Sequence, residues 1–96
     1  NDLIVHYHVF LSGDVQGVGC RVQILEKSKE LKALRGFVQN LEDGAVFVNV
    51  LGTKALVVKF IDHIRQNLLP PVQVKSFRME EVRGKEELLE EFYIKK

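Results

Sequence analysis

Residues 5–13, VHYHVFLSG, alternate between two sets of side chains. One face of an extended chain would carry four apolar residues: Val5, Tyr7, Val9 and Leu11. The opposite face would carry His6, His8, Phe10 and Ser12. A period of two residues is typical of a β-strand that buries one of its sides. We therefore expect a first strand here, with its apolar face against a core.

The period changes between Arg21 and Leu34. Six side chains recur there at helical spacing: Val22, Ile24, Leu25, Ser28, Leu31 and Leu34. Charged residues, mostly lysine and glutamate, fill the positions between them. This pattern predicts an amphipathic helix over residues 21–34, packed on the apolar face of the first strand.

A hairpin, a second helix and two strands are predicted after this helix. RGFVQNL (35–41) and AVFVNVL (45–51) are joined by Glu-Asp-Gly, which is a strong hairpin signal. Gly52 is expected to end the second strand, and Thr53 to cap a helix that stops before Pro70. The inner face of that helix is Val57, Phe60, Ile61, Ile64 and Leu68. Residues 72–82 and 90–96 are expected to be strands, with 83–90 a loop rather than a helical turn.

The predicted order is strand, helix, strand, strand, helix, strand, with a short strand at the end. Two right-handed strand–helix–strand units that interleave give an α+β ferredoxin-like sandwich, βαββαβ. We expect an antiparallel sheet with both helices on one face, and a single domain over residues 1–96. This fold carries many unrelated functions, so it does not identify the chemistry.

Composition excludes several classes of protein. The chain has 14 basic and 13 acidic residues, a net charge of +1, so no polyanion-binding surface is indicated. Its single cysteine, Cys20, excludes an intrachain disulfide. No apolar run approaches the roughly twenty residues that cross a bilayer, and no secretion leader is recognisable. The expected location is the cytoplasm, with no membrane contact.

The chemistry is expected in GDVQGVGCR, residues 13–21. Glycines such as Gly13, Gly17 and Gly19 let successive N–H groups converge, which makes an anion-binding nest. A helix that starts near Arg21 adds its free N–H groups, and the guanidinium can hold two phosphate oxygens. No lysine follows these glycines, so this is not a Walker A loop. On spacing alone, a glycine-rich turn with a solvated arginine remains an equal alternative.

Two motifs of the chain resemble the signatures of acylphosphatases. The first signature, G-x-V-Q-G-V-x-F-R, is matched by Gly13, Val15, Gln16, Gly17, Val18 and Arg21. The second is matched by Gly36, Phe37, Val38, Gln39 and Asn40, ahead of the Asp-Gly turn. Asn40 follows Arg21 by nineteen residues. The strand–helix order also fits, so the resemblance covers nearly the whole chain.

The resemblance implies an enzyme that hydrolyses acyl phosphates to a carboxylate and inorganic phosphate. It implies no metal ion, no cofactor and no covalent phosphoenzyme. Arg21 and Asn40 are the implied catalytic residues, the first on the phosphoryl group and the second on the attacking water. The phosphoryl group is expected to accept hydrogen bonds from six backbone N–H groups: those of Val15, Gln16, Gly17, Val18, Gly19 and Cys20. Phosphate would be both product and inhibitor.

The chain departs from the family pattern at two informative positions. Cys20 stands where phenylalanine is usual, and a large-to-small core change costs roughly 3–5 kcal/mol when nothing compensates for it. We expect a buried, inert thiol there. Ala33 stands where a glycine is common, so the first helix must end without the usual glycine cap.

Three other interpretations are weaker. His6 and His8 could bind a metal ion, but no acidic or thiol partner is suitably spaced, so surface histidines are expected. Phe10, Phe37 and Phe47 share the open sheet face, as the base-stacking residues of RNA-recognition modules do. The third strand lacks the basic opening of that motif, so nucleic-acid binding is not expected. A ligand-sensing unit of a larger enzyme is a further alternative. We expect a monomer that self-associates weakly at most.

Overall fold

The computed structural model describes residues 3–83 and 89–96. Its elements follow the predicted order: β1 (Ile4–Asp14), α1 (Cys20–Leu31), β2 (Arg35–Asn40), β3 (Val46–Thr53), α2 (Lys54–Gln66), β4 (Gln73–Glu81) and β5 (Tyr93–Lys95). The ferredoxin-like arrangement is therefore confirmed. Most of the predicted loop at 83–90 lies outside the described residues.

The five strands form one sheet in the order β4-β1-β3-β2-β5. The pairs β4–β1, β1–β3 and β3–β2 are antiparallel, whereas β5 pairs parallel to β2. The expected antiparallel sheet is thus a mixed one. The alternation of side chains in a strand fixes which face is buried, but it does not fix the direction in which an edge strand pairs.

The core lies between the sheet and the two helices. Alternate residues of β1 face it as predicted, and Val9 and Leu11 are fully buried. The middle strands and the helices supply most of the other fully buried side chains: Ile24, Val38, Val46, Val48, Val50, Val57, Phe60 and Ile64. Two apolar helix faces and one apolar sheet face therefore cover one another, which is what stabilises a layered domain of this size.

Helix α2 ends at Gln66, so Leu68, which was expected on its inner face, lies beyond the helix. Two further predicted element ends are wrong, and both errors involve Leu34. Helix α1 stops at Leu31, because Lys32 and Ala33 take positive φ values of 57° and 55°. Leu34 is nevertheless buried in the core. Strand β3 does not stop at Gly52 but pairs through it to Thr53. A Cβ at Gly52 would lie 2.9 Å from Cδ2 of Leu34, so this glycine makes room for a core side chain.

Gly36 marks a close approach between β2 and β3. Its φ is 133°, and a Cβ built on it would lie 1.7 Å from the carbonyl oxygen of Asn49. No side chain fits at that distance. The glycine of the second signature is thus required by strand packing.

The sheet face away from the helices carries the three predicted phenylalanines. Phe47 lies between Phe10 and Phe37, with ring centroids 5.0 Å and 5.7 Å away. The Arg78 guanidinium lies 4.3 Å from the Phe10 ring centroid, and Lys95 Nζ lies 4.6 Å from that of Phe37. Charged side chains therefore cover two of the three rings.

The prediction of surface histidines is wrong for His6. Its ring is 8% exposed and shares a short hydrogen bond with the buried Asn49 side chain of β3. His8 is half-buried, and its ring contacts those of His6 and Phe47 edge-on. The strand pattern correctly assigned both residues to the open face, but their cover comes from β3, some 40 residues away along the chain.

Candidate active site

The loop between β1 and α1 is built on two left-handed glycines. Gly17 has a φ of 75°, and Gly19, the N-cap residue of α1, has a φ of 82°. A Cβ at either position would meet no atom within 4 Å, so space is not the reason for glycine there. The reason is the backbone conformation, which other residues adopt only at a cost. Gly13 differs, since its Cβ would lie 2.4 Å from the Gln73 carbonyl oxygen in β4.

The backbone N–H groups of this loop are available to a ligand. Within residues 3–83 and 89–96, none of the N–H groups of residues 15–20 donates to a protein acceptor. The first turn of α1 begins at Cys20, so the positive end of the helix dipole adds to them. Unpaired N–H groups at a helix N-terminus are a ready site for an anion.

Arg21 lies at the edge of this loop. Its side chain is half-buried and forms no ion pair with any residue in the described part of the chain. It lines a cavity of about 250 Å³ together with Val15, Gly17, Gly19 and Cys20. A fixed positive charge and the loop backbone thus face the same space, as predicted.

Gln16 joins the loop to the β2–β3 hairpin through its side chain. Nε2 of Gln16 donates to the carbonyl oxygens of Leu41, at 2.8 Å, and Ala45, at 2.9 Å. Gln16 was predicted only as a backbone donor. Its place in the first signature was a possible signal, but its partners lie 25 and 29 residues away in sequence.

Asn40 is the last residue of β2, directly before Leu41. Its Oδ1 is buried and has no hydrogen-bond partner among the described residues. A buried acceptor without a partner costs about 1–3 kcal/mol unless water or a ligand satisfies it. Asn40 is not one of the residues that line the cavity beside Arg21. The two Gln16 bonds link its hairpin to the loop.

Cys20 is the buried, inert thiol expected from the sequence. Its side chain is 1% exposed and belongs to the core. Burial raises the pKa of the thiol from 9.0 to about 11, although Arg21 acts in the opposite direction. The neutral thiol therefore dominates at neutral pH, which makes Cys20 a poor nucleophile.

No group of three or more His, Cys, Asp or Glu side chains in residues 3–83 and 89–96 is placed to hold a metal ion. Across those same ranges, no helix has the length and apolar character needed to cross a membrane.

Known proteins resemble this chain along nearly its whole length. The Acylphosphatase family model matches residues 7–94. An acylphosphatase of Burkholderia ambifaria is 37% identical over 90 residues, covering 94% of this chain and 85% of that protein. One of Archaeoglobus fulgidus is 31% identical over 83 residues, covering 80% and 90%. The crystal structure of acylphosphatase from Bacillus subtilis superposes with a TM-score of 0.86 at 27% identity, covering 96% and 99%.

Proposed function

The chain belongs to the acylphosphatase family of hydrolases, and we propose that it cleaves acyl phosphates by direct attack of water on phosphorus. The bond between phosphorus and the acyl oxygen breaks, and the electron pair leaves with the carboxylate. The water oxygen becomes part of inorganic phosphate, and a water proton moves to a phosphate oxygen. No covalent intermediate is needed.

The six N–H groups of residues 15–20, with Arg21, hold the phosphoryl group in this proposal. These donors lack protein acceptors in the described ranges, and Val15, Gly17, Gly19 and Cys20 line the cavity beside Arg21, which supports their use by phosphoryl oxygens. The Arg21 guanidinium adds a charge that can bond two oxygens at once. Negative charge on the equatorial oxygens of the transition state is stabilised by the same groups. The observation that carries the proposal is this set of free donors beside Arg21.

Asn40 orients the water in this proposal. Its carboxamide can donate one hydrogen bond and accept another, and its Oδ1 lacks a partner in the described part of the chain. A strong general base is unnecessary, because the carboxylate of an acyl phosphate is a good leaving group. Positioning and charge stabilisation can then supply most of the rate acceleration.

Hydrolysis of benzoyl phosphate in water labelled with oxygen-18 tests the proposal. Attack on phosphorus puts the label into phosphate and leaves benzoate unlabelled. Label in benzoate would show attack on the carbonyl carbon and overturn the mechanism. Arg21→Gln is the matched variant, and its loss of turnover would connect the labelled product to this site.

The enzyme is also proposed to act as a monomer that inorganic phosphate inhibits. Arg78 and Lys95 lie over Phe10 and Phe37, so two of the three rings on the open face are covered. Covered rings offer less apolar area for a second copy to bury. Sedimentation at several protein concentrations measures the oligomeric state directly.

A further inference from the structure

The cavity beside Arg21 extends further than a phosphoryl group needs. Its volume of about 250 Å³ corresponds to about eight water molecules. Beyond the loop its walls are Val22, Ile94 and Lys96. Val22 is 52% exposed in the first turn of α1, and Ile94 of β5 is half-buried. The same cavity is therefore lined by the loop backbone and by two apolar side chains, those of Val22 and Ile94.

The pairing of β5 with β2 brings Lys96 to this space. Val38 pairs with Ile94 and Gln39 with Lys95 in a parallel register. The next residue along the chain is Asn40, the last residue of β2, on one side and Lys96, directly after the end of β5, on the other. Because side chains alternate across a sheet, Lys96 shares the face of Ile94, whereas Lys95 lies on the opposite face over Phe37.

The Lys96 ammonium has no opposite charge paired with it in the described part of the chain. Lys96 is exposed and forms no ion pair with a residue in the ranges 3–83 and 89–96. Arg21 and the loop N–H groups already supply the donors for one phosphoryl group. Lys96 is therefore a second cation in a cavity that Val22 and Ile94 also line with apolar side chains.

We propose that this end of the cavity binds the acyl part of the substrate and that Lys96 selects acyl phosphates of short dicarboxylic acids. The proposal rests on the acyl phosphate hydrolysis inferred above. The methylene groups lie against Val22 and Ile94, and the free carboxylate pairs with the Lys96 ammonium. An ammonium on a flexible stem can follow carboxylates at slightly different distances, so the preference covers a class of acids.

Succinyl phosphate and butyryl phosphate form a matched pair of probes. Both have four acyl carbons, but only the first ends in a carboxylate. The quantity to measure is the ratio of kcat/KM for succinyl over butyryl phosphate, after the enzyme-free rate is subtracted. We expect Lys96→Met to lower this ratio by about three- to tenfold, the range for one partly exposed charged contact. The ratio for the unchanged protein should also fall at high salt.

Lys95→Met is the control, since it removes the same charge one residue away on the other sheet face. It should leave the ratio as it is. An equal fall in Lys95→Met, or an unchanged ratio in Lys96→Met, would overturn the role of Lys96 while hydrolysis itself stands. If Lys96→Met slows both substrates equally, Lys96 contacts the phosphoryl group and the proposal is wrong. Failure of the unchanged protein to hydrolyse either substrate would instead refute the proposed function.

Discussion

Nε2 of Gln16 lies 2.8 Å from the carbonyl oxygen of Leu41, the residue that follows Asn40. A side chain of the proposed phosphate-binding loop thus bonds to the end of the strand that carries the proposed water-positioning residue. The second bond of the same amide, to Ala45, holds the other side of that hairpin. Gln16 therefore links the two parts of the proposed site, in addition to the pairing of β1 and β2 with β3.

Gln16→Met should lower kcat much more than it weakens phosphate binding. The loop keeps its N–H groups, but Asn40 loses its connection to them, and small misplacements of a reacting group cost up to about 10²-fold. Leu41 and Ala45 each keep a backbone donor for their carbonyl oxygens, so the stability loss should be modest. Steady-state kinetics and phosphate inhibition constants measure both effects.

The control for this variant is Gln23→Met. The Gln23 side chain also makes two hydrogen bonds, to the N–H and the carbonyl oxygen of Leu69, away from the Asn40 hairpin. It should change stability by a similar amount and leave kcat almost unaffected. Equal losses of kcat in the two variants would mean that Gln16 acts only on stability.

Arg21→Gln and Asn40→Ala should separate binding from catalysis. Hydrogen bonds to a charged group contribute about 1.5–3 kcal/mol, so Arg21→Gln should weaken phosphate inhibition by at least roughly tenfold and also abolish most turnover. Asn40→Ala should lower kcat by roughly 10²–10³-fold while phosphate still binds nearly as before. A circular-dichroism melt checks that both variants fold. Near-normal kcat in folded Asn40→Ala would contradict the water-positioning role.

Lys32→Gly should stabilise the protein. Lys32 has φ 57° and ψ 169°, a conformation found almost only in glycine, which costs a lysine roughly 1–3 kcal/mol. After the backbone entropy of glycine is subtracted, a gain of about 1 kcal/mol remains, or about 4–8 °C in Tm. Lys29→Gly, inside the last turn of α1, is the control and should instead lower Tm. A lower Tm in Lys32→Gly would mean that Lys32 is not strained.

The Cys20 thiol should lower stability only at high pH. Its folded pKa of about 11 lies above the ordinary 9.0, so its contribution is fully present below pH 9 and is lost as pH rises through 11. Cys20→Val removes the titrating group and keeps an apolar side chain. Between pH 9 and 11, the unfolding free energy of the unchanged protein should therefore fall relative to that of Cys20→Val. A constant difference over that range would contradict the raised pKa.

Removal of metal ions should leave activity intact. The proposed site uses backbone N–H groups, Arg21 and the single carboxamide of Asn40, and it includes no carboxylate, thiolate or imidazole to bind a divalent ion. Dialysis against a chelator, followed by an acyl phosphate assay, measures this. Activity that disappears and returns with a divalent ion would contradict a metal-free mechanism.

Local patterns predicted most of the fold, whereas contacts between distant segments were not predictable. The alternation around Val9 and the spacing around Phe60 identified their elements, because each pattern repeats within a few residues. The burial of His6 depends on Asn49, and the parallel pairing of β5 depends on its position at the sheet edge. Neither of these two features can be predicted from the residues next to His6 or β5 in the sequence.

In the candidate site, too, local motifs were predictable from the sequence and contacts between distant segments were not. The signatures predicted roles for Arg21 and Asn40, which stay predictions, and the glycines indicated a curled loop. The side-chain bonds of Gln16 and the approach of Lys96 were missed, since both require the tertiary structure to bring segments together. The left-handed conformation of Lys32 was also missed, although Ala33 had indicated an unusual helix end.

Gly36 has a consequence for relatives that have changed function. It is in the signature because a methyl group would collide with the carbonyl oxygen of Asn49, and this holds whether or not the protein turns over substrate. A descendant that lost Arg21 and Asn40 would still need Gly36 to pair β2 with β3. Such a pseudoenzyme would keep much of the second signature and still have the sheet. Inheritance of that glycine therefore indicates a conserved scaffold, whereas retention of the proposed catalytic pair, Arg21 and Asn40, would indicate retained hydrolysis.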